Sequence, residues 1–423
     1  MVVHGDDAIE FSKAAIMLSA CCHVVTQILL CSIHYARFQH DTCLGCVFSA
    51  LDSMYFPISK VFNTISAFGL LLPVSYAMVV HGDDAIEFSK AAIMLSACCH
   101  VVTQILLCSI HYARFQRLIE TINTTFKNAR SYERCVFQRY VDTYSMFYGL
   151  ATLWYYVSPV VVVLGSILLP QPFPTVSEYP FRVDYEPVRT IIFVHQAFVG
   201  FQCSASVSVN MFAALLILYT AARFEILMID LKEATSVDAL VICVKKYHVV
   251  TRFGKDVVEG TRYIALFTVL YSSIALVFCG LSIIGRQSFL VKLQFCFLAW
   301  VSLVEVFMCA LPADNLINVS ESTVQSVYES KWYEQVLDVQ KTVLRILVPQ
   351  EPVAISIKCI IPILSLEFYC SIVSVTVEWY MTVCPTDALI DVIVSVTVEW
   401  YMTACPTDVL IDMVPFWTTS CSD

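Results

Sequence analysis

The sequence predicts an all-α, polytopic membrane protein: a seven-helix bundle with its N-terminus inside, plus one extra N-terminal hydrophobic helix if a duplicated first segment inserts. Three observations carry that prediction. Hydrophobic residues make up 58% of the 423-residue chain and charged ones only 14%, with mean hydropathy +0.73, far from the balance of a soluble globular domain. Apolar runs recur at the length that crosses a bilayer core, about 20 residues per helix. The Lys and Arg residues between those runs fall mostly on alternate connectors.

Taken in order, the apolar runs are Val61–Val80, Ala91–Ile110, Tyr144–Leu169, Thr190–Ala221, Tyr263–Ile284, Leu290–Leu311 and Pro352–Val377. The second, fourth and sixth connectors hold sixteen basic residues, among them Arg114, Arg139, Arg223, Lys246 and Lys341. The other side holds five: Lys90, Arg182, Arg189, Arg286 and, at the edge of its span, Lys292. The basic side is cytoplasmic, so the core starts inside and ends outside. This orientation, with no acidic-Arg-Tyr triplet after span three and no Asn-Pro-x-x-Tyr in span seven, weighs against a G-protein-coupled receptor. The sequons at Asn123 and Asn318 then lie on the cytoplasmic side and stay unglycosylated.

Asp6, Asp7 and Glu10 precede the first apolar run where a signal peptide carries a basic region, so that run reads as its own insertion signal. Most of the 19 cysteines sit inside apolar runs and read as small hydrophobes rather than a disulfide scaffold. In Glu334–Leu347, Val336, Leu337, Val339, Val343, Leu344, Ile346 and Leu347 cluster at helical spacing, predicting an amphipathic cytoplasmic helix that Pro349 stops.

Enzyme chemistry finds no footing. There is no phosphate-binding Gly-Lys loop, dinucleotide fingerprint, HExxH or paired CxxC, and the nine histidines lack metal-ligand spacing. The lone Cys43-Leu-Gly-Cys46 reads as packing. No cofactor, metal or nucleic-acid partner is expected. What the spans offer is aromatic density: Tyr144, Phe147, Tyr148, Trp154, Tyr155 and Tyr156 before Pro159, then Phe193, His195, Gln196, Phe198, Phe201 and Gln202. Such density suits either a pocket for a small apolar ligand or helix packing with an interfacial belt, and composition alone favours packing. Glu305, Lys358 and Glu367 are ionisable residues within spans, where burial is costly and marks function. Lys358 lies near the start of its span and has snorkelling as the simpler account.

Specific motifs begin at the sixth connector: Leu316-Ile317 with Ser320, Tyr328-Glu-Ser-Lys-Trp332-Tyr333, Gln340-Lys341, and the ILSL of Ile363–Leu366. Upstream come Tyr179-Pro180-Phe181, Pro187, His195-Gln196 and Ala222–Leu227. In this order, from roughly Tyr55 to Ser374, the chain resembles the insect odorant receptors, and its last third is similar in style to those of ants, bees and wasps. The resemblance implies a subunit of a ligand-gated cation channel. It assembles as a heterotetramer with a shared co-receptor, sits in the lipid bilayer of a sensory dendrite's plasma membrane, and binds a volatile small molecule. The family's odorant sits among the outer halves of spans two, three, four and six, which implicates Tyr148, Trp154, Tyr155, Phe198, Phe201 and Phe295. The resemblance likewise implies pore-lining roles for Glu367, Cys370 and Ser374, and subunit contacts for Tyr328, Trp332 and Tyr333.

The chain departs from that pattern at both ends. Met1–Gln39 is repeated letter for letter as Met78–Gln116, and Ile372–Asp391 returns at Ile393–Asp412 with two changes. The second N-terminal copy leads into the basic Arg117-Leu-Ile-Glu connector and reads as span two; residues 1–54 are then a peripheral extension. Residues 55–377 form the receptor-like domain, with a cytoplasmic anchor at 312–351, and 378–423 an atypical tail. Tyr55–Lys60 runs almost directly into Ala67–Met78, so the first span falls short of the family's. Two rivals stand beside the receptor. A secondary transporter predicts repeated halves and broken midplane helices, neither of which is found. A non-functional relic predicts a damaged pore end, which the tail repeat fits.

Overall fold

A computed structural model describes residues 57–168, 173–183, 185–234, 236–284, 289–329, 332–334, 352–357 and 363–383, with isolated positions between. The described residues form nine α-helices: α1 Pro57–Val80, α2 Ala85–Ile110, α3 Tyr112–Lys127, α4 Ser131–Leu168, α5 Val188–Ala205, α6 Val207–Glu233, α7 Val237–Ile284, α8 Phe289–Glu329 and α9 Leu366–Val383. Among the described residues, six segments are long and apolar enough to cross a membrane, α5 and α6 together counting as one, and Leu366–Thr376 is a shorter apolar helix. The molecule is a polytopic helical membrane protein. The extension at residues 1–54, the repeat at 393–412, Lys358, and nearly all of the amphipathic helix expected over Glu334–Leu347 lie outside the described residues.

Sequence chemistry sets most boundaries. The carboxylate of Asp84 accepts from Ile86 N at 3.0 Å and Glu87 N at 3.3 Å, capping α2 just beyond the Gly82 turn. That helix is the second copy of the repeated segment. The first apolar span is Val61–Val80 as expected; the helix that carries it, α1, runs 24 residues, about 36 Å at 1.5 Å per residue, because Pro57–Lys60 continues directly into it. At 48 residues, α7 is about 72 Å long, more than twice the hydrocarbon core. Its first half therefore projects on the basic side. There Leu240, Cys243, Val244 and Tyr247 pack with Leu118, Ile122, Phe137 and Leu227. Lys246 pairs with Asp230 at 2.5 Å, and Arg139 with Glu225. Burial, then the hydrogen bond to Asp230, raises the Tyr132 phenol above its ordinary pKa.

Two spans differ from expectation. The fourth is broken at Ser206, where the hydroxyls of Ser204, Ser206 and Ser208 donate back to carbonyls of Gly200, Cys203 and Ala205. The Ser206 amide turns to Cys203 O at 3.2 Å. Serine side chains that compete for the helical ladder in this way bend helices. The seventh is not helical from Pro352. Its described upstream part is non-helical, with an isolated antiparallel bridge between Ile357 and Ile361; a segment with two prolines and repeated β-branched residues has little helical preference. Helix begins only at Leu366. Its amide donates to Asp314 Oδ1 of α8 at 3.1 Å, and Ser365 Oγ accepts from Phe368 N at 3.2 Å.

The upstream segment is held where it crosses α7. A Cβ built on Gly254 would lie 3.1 Å from Val353 Cγ1 and 3.2 Å from Thr220 Cγ2. Gly254→Val should lose about 2 kcal/mol to overpacking, read as a lowered thermal midpoint of the purified protein, while Gly254→Ala stays within about 1 kcal/mol of the parent as gained helix propensity offsets the crowding.

The centre of the bundle is polar. Glu305 of α8, 7% exposed, accepts from Asn210 Nδ2 of α6 at 2.9 Å and Ser272 Oγ of α7 at 2.8 Å, and faces His100 Nδ1 of α2 at 3.6 Å. Gln104 donates to Asn210 Oδ1 at 3.0 Å and lies 2.9 Å from His100 Nε2. Thr268 also donates to Asn210 Oδ1, at 3.0 Å. Burial of such groups requires mutual hydrogen bonding, and one knot here joins four helices.

Candidate ligand-binding site

Above this knot, a cavity of about 160 Å³ lies between α2, α4, α5 and α8. Its walls come from Ile93, Met94 and Ala97 of α2, Pro159 and Val162 of α4, Ala197 and Gly200 of α5, and Val291, Phe295 and Leu298 of α8. A volume near 150 Å³ suffices for benzene, so the space suits a small monocyclic or short-chain molecule. Glycine at 200 permits close approach of α4 and α5, since a Cβ there would already touch Pro159 Cβ at 3.4 Å.

A loop roofs the cavity. Gln196, 1% exposed, accepts from Thr175 N at 3.1 Å and Thr175 Oγ1 at 2.9 Å, and donates to Ser177 Oγ at 2.7 Å and Tyr179 OH at 3.3 Å. The loop is tied to α1 through Glu178 N to Pro73 O at 3.1 Å, and to the turn after α1 through the His81–Glu178 contact at 3.1 Å. Thr175 and Gln196 satisfy one another. By contrast, Ser158 and Gln294, also in the walls, make no side-chain hydrogen bond among the described residues, and Lys90 donates to Glu87 alone at 2.7 Å.

Of the six aromatics expected around a ligand, Phe295 lines this cavity. Tyr148 and Tyr155, seven residues apart on one face of α4, are buried struts whose hydroxyls donate to Met308 O at 3.0 Å and Val301 O at 3.4 Å along antiparallel α8. Trp154 lies one turn below Ser158, 43% exposed, against Phe297 with ring centroids 5.2 Å apart. Phe198 packs on Phe62 of α1 at 5.7 Å, and Phe201 is half-buried. Two of the six expected aromatics are thus helix struts. Lys90, Ser158, Gly200 and Gln294 also line the cavity; Ser158, Gly200 and Gln294 are small or polar residues inside apolar runs, a pattern that is itself a sign of a lined space.

The remaining expected residues fall at the other end of the chain. Glu367 and Ser374 occupy one stripe of α9 with the exposed Ser371 and Glu378, opposite the face on which Tyr369 packs against Phe307 at 5.2 Å. Cys370 is buried against the bundle. Tyr328 and Tyr333 are exposed, while Trp332 donates to Tyr328 O at 3.2 Å and rests on the core.

The sequence model of the 7tm Odorant receptor family matches residues 84–377. The chain belongs to that family. Its fold is similar to that of the insect olfactory receptor OR5 from Machilis hrabei, at 14% identity and TM-score 0.68 over 78% of this chain and 89% of that one. The same receptor in complex with eugenol gives 13% identity and TM-score 0.68 over 87% and 98%. No curated protein matches. Odorant receptors are sensory receptors, not enzymes.

Proposed function

We propose that this odorant receptor binds volatile small molecules in the cavity between α2, α4, α5 and α8. On this reading it gates cation flux as one subunit of a tetramer with a shared co-receptor, in the plasma membrane of a sensory dendrite. The observation that carries the reading is the cavity's position among spans two, three, four and six, in the halves that the basic-residue count makes outer. The structural relative in complex with eugenol supports the ligand class. A volatile that binds the open arrangement better than the closed one shifts the population by that difference in affinity and no more.

The α9 stripe of Glu367, Ser371 and Ser374 supplies a polar face for a shared pore, and exposed Tyr328 and Tyr333 supply apolar surface for subunit contacts on the cytoplasmic side. Residues 1–54 sit peripheral to this core, and 378–423 form an atypical tail. The test is co-expression with an insect odorant co-receptor in oocytes under voltage clamp. Volatile-evoked currents absent from the co-receptor alone are expected. Silence with proven surface delivery would instead favour a non-conducting relic, the reading that the tail repeat supports. In conducting channels, Glu367→Gln should lower calcium permeability relative to sodium by roughly twofold to fivefold, as expected for losing one charge near the ion path; unchanged reversal potentials would remove Glu367 from the pore.

A further inference from the structure

The walls of the cavity are chemically lopsided, and part of their polar lining has hydrogen-bonding capacity to spare. Lys90 has three donors on its ammonium and spends one on Glu87 at 2.7 Å, with its side chain only 14% exposed. Gln294, whose amide lies against Gly165, and Ser158 make no side-chain hydrogen bond among the described residues, and all three line the same space. Everything else around them is apolar or, like Gln196 and Thr175, already paired. Donors left unmatched in a partly desolvated wall favour a ligand that brings an acceptor, because a ligand lacking one leaves them desolvated without a partner. Glu87 offsets the charge of Lys90, so the local charge is balanced and a neutral acceptor fits better than a carboxylate.

We propose that Lys90 and Gln294 select volatiles carrying a neutral carbonyl, such as ketones, esters or lactones of about six to ten heavy atoms, over hydrocarbons and free acids of equal size. This rests on the cavity being the ligand site. The ligand's carbonyl oxygen accepts from the Lys90 ammonium and the Gln294 amide, and its apolar remainder lies against Met94, Pro159, Phe295 and Leu298.

The test measures retention from headspace by the full-length protein in lipid nanodiscs, with empty nanodiscs as the blank, so it is independent of conduction. The probes are a matched ketone, alkane and carboxylic acid of one chain length. Wild type should retain the ketone about tenfold better than either partner after subtraction, the scale of a hydrogen bond to a charged group. Lys90→Met, which keeps the unbranched stem, should lose about tenfold of ketone retention and leave alkane retention unchanged; Gln294→Leu gives an independent second variant. Equal retention of ketone and alkane, better retention of the acid, no retention above the blank, or full ketone retention in both variants would overturn the proposal. Ala197→Leu separates the two levels: ketone retention that survives this filling of the cavity sinks the site itself, whereas loss in Ala197→Leu beside wild-type behaviour in Lys90→Met sinks only the ligand class.

Discussion

Truncating Glu305 to alanine is expected to cost the folded bundle about 3 kcal/mol. Breaking a buried charged contact by removing one partner costs roughly 3–5 kcal/mol, whereas single interhelical hydrogen bonds in membrane proteins average about 0.6 kcal/mol. Glu305 lies between these limits because several groups lose their partner together: Asn210 at 2.9 Å, Ser272 at 2.8 Å and the nearby His100 ring at 3.6 Å. Glu305→Gln keeps the side chain's shape and one oxygen acceptor, and should cost about 1 kcal/mol. Thermal unfolding of purified variants, alongside surface delivery, reads the difference. Should the alanine variant melt with wild type, the four-helix knot is not what fixes α2, α6, α7 and α8 together.

The second large effect concerns the cavity. Ala97→Phe places a ring into a space of about 160 Å³ whose opposite walls are the helical residues Pro159, Phe295 and Leu298, which cannot retreat without moving their helices. The half-maximal concentration for any activating volatile should rise at least 100-fold, about 2.7 kcal/mol, with channel assembly intact. A wild-type dose response would mean that ligands are held elsewhere, for instance against Trp154 or Phe198.

Much of the fold was legible because a bilayer imposes one simple demand, a long apolar run, and Val61–Val80 or Leu290–Leu311 meets it without ambiguity. The break at Ser206 was not, since it depends on three serine hydroxyls turning back onto the backbone, and isolated serines in an apolar run usually leave a helix straight. Nor was the late start of α9: Asp314, fifty-two residues upstream, supplies part of its cap, and such partners are invisible to local pattern. Glu305 stood out in the sequence as an ionisable residue at membrane depth, yet its partners His100, Asn210 and Ser272 come from three other helices. The site was legible only as a region. Tyr148 and Tyr155 have the composition of pocket aromatics, but tertiary register turns their hydroxyls onto carbonyls of α8; Lys90, read from sequence as a topology charge, lines the cavity.

The most direct test is a cryo-electron microscopy structure of the full chain assembled with an insect odorant co-receptor and saturated with an activating volatile. Ligand density is expected within the walls formed by Met94, Ala97, Pro159, Gly200 and Phe295, beneath the loop held by Gln196. Density at any other place, with this cavity empty or collapsed, would contradict that expectation.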